Sequence, residues 1–312
     1  MLTLSKFLPA SLRGYITPYK DSFYYWLIHS SIEFKEKNKK NKVIFYPDYP
    51  GCRHLLGRIF RCLNYEITND ISAFREARFI VNWEDTTFRT PYRELLDIAD
   101  SREIINIRCQ DISKKHVDEV FERVFGYKTI IDPTTFRGKC VKKSDINALH
   151  DGTIINCPIE IPEPGFIYQM LINNQLDDFL IEDIRTPIFR DTIPFTYVKH
   201  RPVKSRFASK NNTCVITDTK QVFTQQEINN IITFSQEMCL DFGELDILRD
   251  RENGKIYIVD VNNTPGGPPN GLSRVNTFRA IKMLTLAFIE AFIERESRPA
   301  SKQIKATSKV IV

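Results

Sequence analysis

Short apolar runs alternate with amphipathic stretches between residues 43 and 126. Three runs have the length and β-branched content of buried strands: VIFY (43–46), ARFIVNW (77–83) and EIINIRC (103–109). Three stretches have the apolar spacing of helices: HLLGRIFRCL (54–63), PYRELLDIAD (91–100) and SKKHVDEVFERVFG (113–126). In the last one, Ser113 is a candidate N-cap and Gly126 a candidate stop signal. Strands that alternate with helices predict a parallel α/β layer.

The pattern becomes strand-rich after residue 126. Five segments read as strands separated by Gly, Pro, Asn and Asp: KCVKKS (139–144), GTIINCPIEI (152–161), GFIYQMLI (165–172), DDFLIEDIRTPIF (177–189) and PFTYVKHRPV (194–203). A helical pattern, a hairpin and a long amphipathic helix follow, at 225–243, 244–262 and about 273–296 respectively. This order predicts a mixed α/β (α+β) protein.

These patterns divide the chain into five segments. They are an N-terminal helical extension (1–42), a leading α/β subdomain (43–126), a first strand-rich unit (127–190), a second unit with the hairpin and the long helix (191–296), and a flexible tail (297–312). The aromatic stretch of the extension lies beside a lysine-rich run and lacks a clean apolar stripe. We therefore expect it to pack onto the fold and not onto a membrane.

Composition narrows the possible partners. The 312 residues are 42% hydrophobic and 27% charged, which suits a folded protein with sizeable cores. The 44 basic and 39 acidic residues leave a net charge of +5, which is too weak to predict nucleic-acid binding. Seven cysteines at scattered spacings predict reduced thiols and a cytoplasmic location. Because no run of about 18 apolar residues and no leader pattern occurs, we expect no transmembrane segment and no signal peptide.

The most informative segment is DFGELDILRDRENGKIYIVDVNNTPGGPPNGL, residues 241–272. Two apolar strands flank a turn at Asn253-Gly254. Strand alternation places Asp260 and Asn262 on one face of the second strand. A two-residue loop would bury Asp246 on the apolar face, whereas a loop of three or five residues with a bulge pairs 246 with 260. In that second register Asp246, Asp260 and Asn262 converge as oxygen donors suited to magnesium.

This hairpin resembles the metal-binding hairpin of the ATP-grasp superfamily, including the branch of inositol polyphosphate kinases in which aspartate replaces the usual glutamate. The resemblance implies an ATP-grasp fold, in which a leading α/β subdomain precedes two α+β halves that clamp ATP. It also implies ATP and Mg2+ as cofactors. P-loop, dinucleotide-binding and zincin motifs are absent from the sequence.

Upstream segments resemble the other parts of the family in the expected order. GKCVKKSDINALHDG (138–152) is similar to the strand and lid loop that carry a phosphate-binding lysine, with Lys143 the better match and Lys142 the alternative. GFIYQMLI resembles the hinge that reads adenine, which implies contacts from Gln169, Met170, Leu171 and Ile172.

The segment 178–189, a strand with one arginine, and the basic segment 199–212 resemble the strands that contact polyphosphate or a substrate anion. The resemblance implies anion-binding roles for Arg185, Arg201 and Arg206, with Asn211 or Asn212 nearby, and we take Asn212 as the candidate. Arginine suits this role because its planar fork binds phosphate or carboxylate in a bidentate way. We expect Lys199 on a solvated, charged edge.

The family resemblance implies an ATP-dependent ligase that joins a carboxylate to an amine or other nucleophile through an acylphosphate. Two alternatives stay open: a kinase that phosphorylates a sugar or polyol hydroxyl, and a nonenzymatic nucleotide- or polyanion-binding protein. The expected partner is a small-molecule carboxylate or a sugar or polyol acceptor, with no nucleic acid.

Overall fold

A computed structural model describes the backbone of residues 10–147, 149, 151–207 and 211–295, with side chains from residue 21 onward. The tail predicted to be flexible (297–312) lies outside the described residues. No helix in the described part of the chain is long and apolar enough to cross a membrane. The seven cysteines are all free.

The leading α/β layer contains a three-stranded parallel sheet. Its strands are β1 (Lys42–Pro47), β2 (Glu66–Thr68) and β3 (Ala77–Trp83), in the order β2-β1-β3. Its helices are α2 (Leu55–Cys62) and α3 (Arg93–Ala99). The long helix α1 (Ala10–Ser31) precedes the layer and packs on α2. These elements confirm the predicted parallel layer, whose sheet is buried between helices.

The run 103–109 is not a strand, which corrects the sequence prediction. Only Ile105 forms a bridge, to Val81, and the chain then turns at Asn106, whose φ is 61°. A residue in this left-handed conformation cannot continue a strand. The apolar run is buried because it crosses from one subdomain to the next.

Helix α4 (Lys114–Phe125) leads into a small antiparallel sheet. The Ser113 side chain accepts a hydrogen bond from the His116 N–H, and Gly126 ends the helix at a φ of 77°, so both predicted end signals are confirmed. The sheet consists of β4 (Gly138–Ser144), β5 (Thr153–Cys157) and β6 (Phe166–Met170), in the order β5-β4-β6.

A five-stranded antiparallel sheet forms the second half of the structure. Its strands are β7 (Leu180–Phe189), β8 (Thr196–Pro202), β9 (Thr213–Thr217), β10 (Phe242–Arg249) and β11 (Ile256–Asn262), in the order β11-β10-β7-β8-β9. Helices α5 (Thr219–Val222), α6 (Gln225–Glu237) and α7 (Arg274–Phe288) accompany it, and α7 continues as a π-helical segment to Glu294. The predicted boundary at residue 190 therefore falls after the first strand of this sheet, because β7 pairs with β8 and β10.

One buried asparagine ties the leading layer to the five-stranded sheet. The Asn106 side chain accepts hydrogen bonds from the Asp241 and Phe242 amides, at 2.9 and 3.0 Å, and donates to the Phe242 carbonyl at 2.7 Å. The Asn106 amide donates to the Asp241 carboxylate at 2.7 Å. These bonds hold the start of β10 against the leading layer.

Replacing Asn106 should therefore destabilise the protein. We expect Asn106→Ala to lower the free energy of unfolding by about 2–4 kcal/mol, because it leaves buried backbone groups without partners. Asn106→Gly should cost less than Asn106→Ala, since glycine tolerates the positive φ. Urea denaturation measures both, with the exposed Asn229→Ala as the control. A loss no larger than that of the control would contradict the junction role.

Candidate active site

A cavity of about 1230 Å³ lies between the leading layer and the two other sheets. The hinge strand, the lid strand β4 and one face of the five-stranded sheet all line it. Pockets for small ligands commonly reach about 1,000 Å³, so this cavity has room for a nucleotide and a second molecule.

The hairpin of β10 and β11 has the bulged register predicted from the sequence. Asp246 pairs with Asp260, Glu244 pairs with Asn262, and a bulge follows Asp246. Because side chains alternate along a strand, these four residues share one face of the hairpin, from which Asp246, Asp260 and Asn262 line the cavity. The apolar residues Leu245 and Val261 are buried beneath the opposite face.

Two cations, the half-buried Arg185 and the buried Lys199, hold Asp246. Arg185 donates from Nε and Nη2 to the two carboxylate oxygens, each at 3.0 Å, and Lys199 Nζ donates to Oδ1 at 2.8 Å. Burial alone would raise the pKa of Asp246, but Arg185 and Lys199 outweigh it and hold the pKa far below its usual range. Asp246 is therefore ionised.

The remaining lone pairs limit how Asp246 can bind a metal ion. A carboxylate offers about four acceptor positions, and Arg185 and Lys199 occupy three of those of Asp246. One position on Oδ2 stays open, so Asp246 can give a metal ion one bond. Asp260 Oδ1 accepts from the Val261 amide at 3.1 Å, and Asn262 Oδ1 accepts from the Thr264 amide at 3.0 Å, so both keep free lone pairs.

This donor set suits a magnesium ion that is bound partly by phosphates and water, and not a metal ion enclosed by protein ligands alone. No group of three or more His, Cys, Asp or Glu side chains is placed to hold a metal within the residues that the structure describes. Magnesium is commonly held by one or two carboxylates together with phosphates and water. Burial raises the pKa of Asp260, against the opposing effect of Lys114 and Lys143. A divalent cation would relieve that cost, and Asp260 with Asn262 and one oxygen of Asp246 would hold it.

The two candidate phosphate lysines point to opposite faces of β4. Lys143 lines the cavity and donates to the Val259 carbonyl at 3.2 Å. Burial lowers its pKa to about 8, against the attraction of Asp260. Lys142 instead forms an ion pair with Glu163 and lies 4.4 Å above the Phe166 ring, away from the cavity.

The predicted hinge residues line one end of the cavity. These are Gln169, Met170, Leu171 and Ile172. The segment is held by Thr129, whose hydroxyl accepts from Gln169 Nε2 at 2.6 Å and whose carbonyl accepts from the Met170 amide at 2.9 Å. The Gln169 side-chain amide is thus already hydrogen-bonded within the protein, and the segment presents backbone and apolar groups to the cavity.

The predicted arginines reach the cavity with some of their donors already bound to the protein. Arg185 is bound to Asp246, and Arg201 forms an ion pair with Asp183. Arg206 lies at the hinge end, where Nη1 donates to Asn174 Oδ1 at 2.5 Å and to the Ile172 carbonyl at 3.4 Å. Their charge is therefore shared with groups of the protein before any ligand binds.

The structure does not bring the side chain of Asn212 to the cavity. Asn212 is exposed, and its amide donates to the His200 carbonyl at 2.9 Å. Its neighbour Asn211 lines the cavity and donates to the Asn270 carbonyl at 3.2 Å. Successive side chains of an extended segment point in opposite directions, which is why Asn211 and not Asn212 faces the cavity.

Sequence reasoning missed Lys199, Glu244 and Lys114. Lys199, expected on a solvated edge, is 3% exposed and bound to Asp246. Alternation with Arg201 along β8 was the available signal.

Glu244 precedes Asp246 by two residues, so the same rule places it on the site face. Its burial raises its pKa to about 7, with Arg185 Nη1 3.6 Å away. Lys114 Nζ donates to Asn147 Oδ1 at 2.8 Å at the cavity edge.

Comparison with known proteins gives a fold but no sequence relative. No family model matches the chain, and no curated protein matches it. D-alanine–D-alanine ligase from Bacillus anthracis is similar over 82% of this chain and 98% of its own, with 11% identity and a TM-score of 0.50. The ATP-grasp ligase PsnB, solved with its minimal precursor, Mg and ADP, is similar over 83% of this chain and 98% of its own, also with 11% identity and a TM-score of 0.50.

The chain has the ATP-grasp fold. This confirms the fold predicted from the order of lysine, hinge, arginines and metal hairpin. At such low identity the likeness establishes the fold alone, so the role of each site residue still depends on its own geometry.

Lys143 and Lys142 form a matched pair for a test of nucleotide binding. Lys143→Ala should weaken the binding of ATP by at least about tenfold, because a charge-assisted contact to phosphate is lost. Lys142→Ala removes the same charge from the other face and should change the affinity less than about threefold. Calorimetric titration with a nonhydrolysable ATP analogue measures both. Equal or reversed effects would show that the strand presents the other lysine.

The lowered pKa of Lys143 predicts a pH dependence of nucleotide binding. As the pH rises through about 8, the Lys143 ammonium loses its proton and its attraction for phosphate. The dissociation constant of the ATP analogue should therefore rise between pH 7.5 and 9.5, by up to about tenfold. Lys143→Met should abolish this rise. A wild-type affinity that does not change over this interval would contradict the assignment.

Proposed function

We propose that this protein is a Mg-ATP-dependent ligase that joins an acceptor carboxylate to an amine or another nucleophile through an acylphosphate. The observation that carries the proposal is the shared face of β10 and β11, where Asp246, Asp260 and Asn262 converge beside Lys143. A PsnB structure of the same fold holds Mg and ADP beside its precursor, which supports MgATP as the ligand class.

In this proposal the residues of the cavity position the nucleotide. The hinge from Met170 to Ile172 receives the adenine, and Lys143 contacts the α and β phosphates. Asp260 and Asn262, with one oxygen of Asp246, hold magnesium, which when bound neutralises phosphate charge and aligns the terminal phosphate. Phosphoryl transfer depends mainly on such positioning and charge neutralisation.

The loop after β4 is expected to exclude water from the reacting groups. Asn147 Nδ2 donates to the Ile112 and Val261 carbonyls, at 3.1 and 3.2 Å, and so ties the loop to both sides of the cavity. At the end of the loop, a Cβ atom on Gly152 would lie 2.7 Å from the Phe207 ring. Glycine therefore lets the loop lie directly against this ring. Exclusion of water from the site protects an acylphosphate from hydrolysis.

The ion pairs on β8 favour the ligase over the kinase alternative. The kinase hypothesis draws on the free charge of the basic segment 199–210. In the structure Lys199 is bound to Asp246 and Arg201 to Asp183, so these two cations are already shared with carboxylates. The segment therefore offers less free charge to a polyanionic acceptor than its sequence indicates.

Asp260 provides the test of the proposed chemistry. Purified protein is given MgATP, a panel of carboxylates and hydroxylamine, and both ADP and hydroxamate are measured. Asp260→Asn should reduce the magnesium-dependent rate by at least about 100-fold, because the main metal ligand loses its charge. The exposed Asp97→Asn is the control for the same change. Isothermal titration of magnesium into the nucleotide-loaded variants gives a second readout.

The products separate the three functions. A ligase forms hydroxamate only when carboxylate and nucleophile are both present. A kinase forms a stable phosphoester from one hydroxyl acceptor, and a nonenzymatic binder forms neither product and tolerates the loss of Asp260. Undiminished magnesium-dependent turnover in Asp260→Asn would refute the metal assignment.

A further inference from the structure

Two arginines that the leading layer supplies to the cavity form no ion pair within the part of the chain that the structure describes. Arg53 and Arg58 line the cavity from the leading layer, and neither forms an ion pair with any carboxylate among the described residues. By contrast, the cations that β7 and β8 present to the cavity are bound to Asp246 or Asp183. Arg53 and Arg58 therefore add two positive charges to the cavity wall that no ion pair with a described carboxylate neutralises.

These arginines lie beyond the metal hairpin, at the end opposite the hinge. The Leu55 amide of α2 donates to the Pro265 carbonyl at 3.0 Å, which docks the loop after Asn262 onto the start of this helix. A Cβ atom on Gly267 would lie 3.0 Å from Arg58 Nη1 and 3.1 Å from the Arg53 carbonyl. Glycine thus lets the loop pass directly over Arg58. The hinge lies at the other end, where the Arg251 amide, just after β10, donates to the Asn173 carbonyl at 2.7 Å.

This position assigns the arginines to the acceptor and not to the nucleotide. Under the proposed function the triphosphate lies between the hinge and Asp260, where Lys143 supplies positive charge. Sheet geometry separates the two regions, since strand residues advance about 3.3 Å each. Leu248 and Glu244 mark the two ends of the site face on β10, and Glu244 pairs with Asn262 at the end nearer the arginines.

The arginines suit a group that does not react. A carboxylate that attacks phosphorus must keep a lone pair free and its charge available. Guanidinium forks bind both oxygens of a carboxylate and neutralise it. A carboxylate held this way would be a poor nucleophile, so the group at Arg53 and Arg58 is best a second acidic group of the same molecule.

We propose that Arg53 and Arg58 form an anion subsite that holds a second, non-reacting acidic group of the acceptor. The preferred acceptor is then at least a dianion, with a carboxylate or a phosphate as the second group. This inference rests on the proposed function for the identity of the reacting group. Asp85 also lines the cavity, and its Oδ1 accepts from the Thr264 hydroxyl at 2.7 Å. It forms no ion pair with either arginine.

The test measures anion binding directly, because the acceptor is unidentified. Wild-type protein saturated with MgADP is titrated with malonate, inorganic phosphate and acetate in a calorimeter. We expect malonate or phosphate to bind more tightly than acetate, and the tighter of the two identifies the second group as carboxylate or phosphate. Arg58→Ala and Arg53→Ala should each weaken that binding by at least about tenfold, with MgADP affinity unchanged.

Matched control variants show whether a loss of anion binding is specific to Arg53 and Arg58. Arg93→Ala removes the same charge from an exposed helix position and should leave anion binding unchanged. Arg58→Lys should recover part of the loss, which separates charge from fold, and thermal melting checks the folding of each variant. Equal effects of Arg58→Ala and Arg93→Ala would overturn the subsite, as would equal binding of malonate, phosphate and acetate.

The same titrations separate this inference from the proposed function. Anion binding that competes with MgADP would place the anion in the triphosphate region and overturn the subsite. Absence of MgADP binding to the wild type would refute the proposed function alone, because the anion titration can be repeated without nucleotide. In that nucleotide-free titration, the effect of Arg58→Ala on anion binding would still test the subsite.

Discussion

The site depends on one backbone constraint, the bulged register between β10 and β11. The bulge after Asp246 lets Asp246 and Asp260 face the cavity while Leu245 and Val261 remain in the core. A shift of one residue would turn every side chain of a strand to the other face, which would bury carboxylates among apolar side chains. The cost of that alternative fixes the register, and the register in turn places every candidate metal ligand.

Charge balance then determines which groups stay available for ligands. A buried ion pair contributes little net stability, but leaving one partner alone is costly. Asp246 with Arg185 and Lys199 forms such a cluster, in which both cations are bound to the protein's own carboxylate. Asp260 and Lys143 are less well compensated, as the raised pKa of the one and the lowered pKa of the other indicate. A magnesium ion and a phosphate group are the ligands that would complete their environments.

The leading layer both anchors the metal hairpin and supplies side chains to the cavity. Through Asn106 it holds the start of β10, and through the contact of Leu55 with Pro265 it holds the loop after β11. Both ends of the metal hairpin are thus anchored to the same layer. That layer also supplies Arg53 and Arg58 to the cavity. The acceptor and the nucleotide would therefore meet at a junction that is already fixed by hydrogen bonds and core packing.

The mixed α/β class, most of the strands and helices and the ends of α4 could be predicted from the sequence, because hydrophobic periodicity and end signals act locally. The family resemblance implied the ATP-grasp fold, Lys143, the hinge and the metal hairpin, and the structure gathers these residues around one cavity. Local pattern failed at 103–109, where a left-handed Asn106 interrupts an apolar run, and at Lys199 and Asn212, whose exposures are the reverse of expectation. Only tertiary structure decided which charges form ion pairs and which, such as those of Arg53 and Arg58, form none with the described residues, because the partners come from strands and loops far apart in the chain.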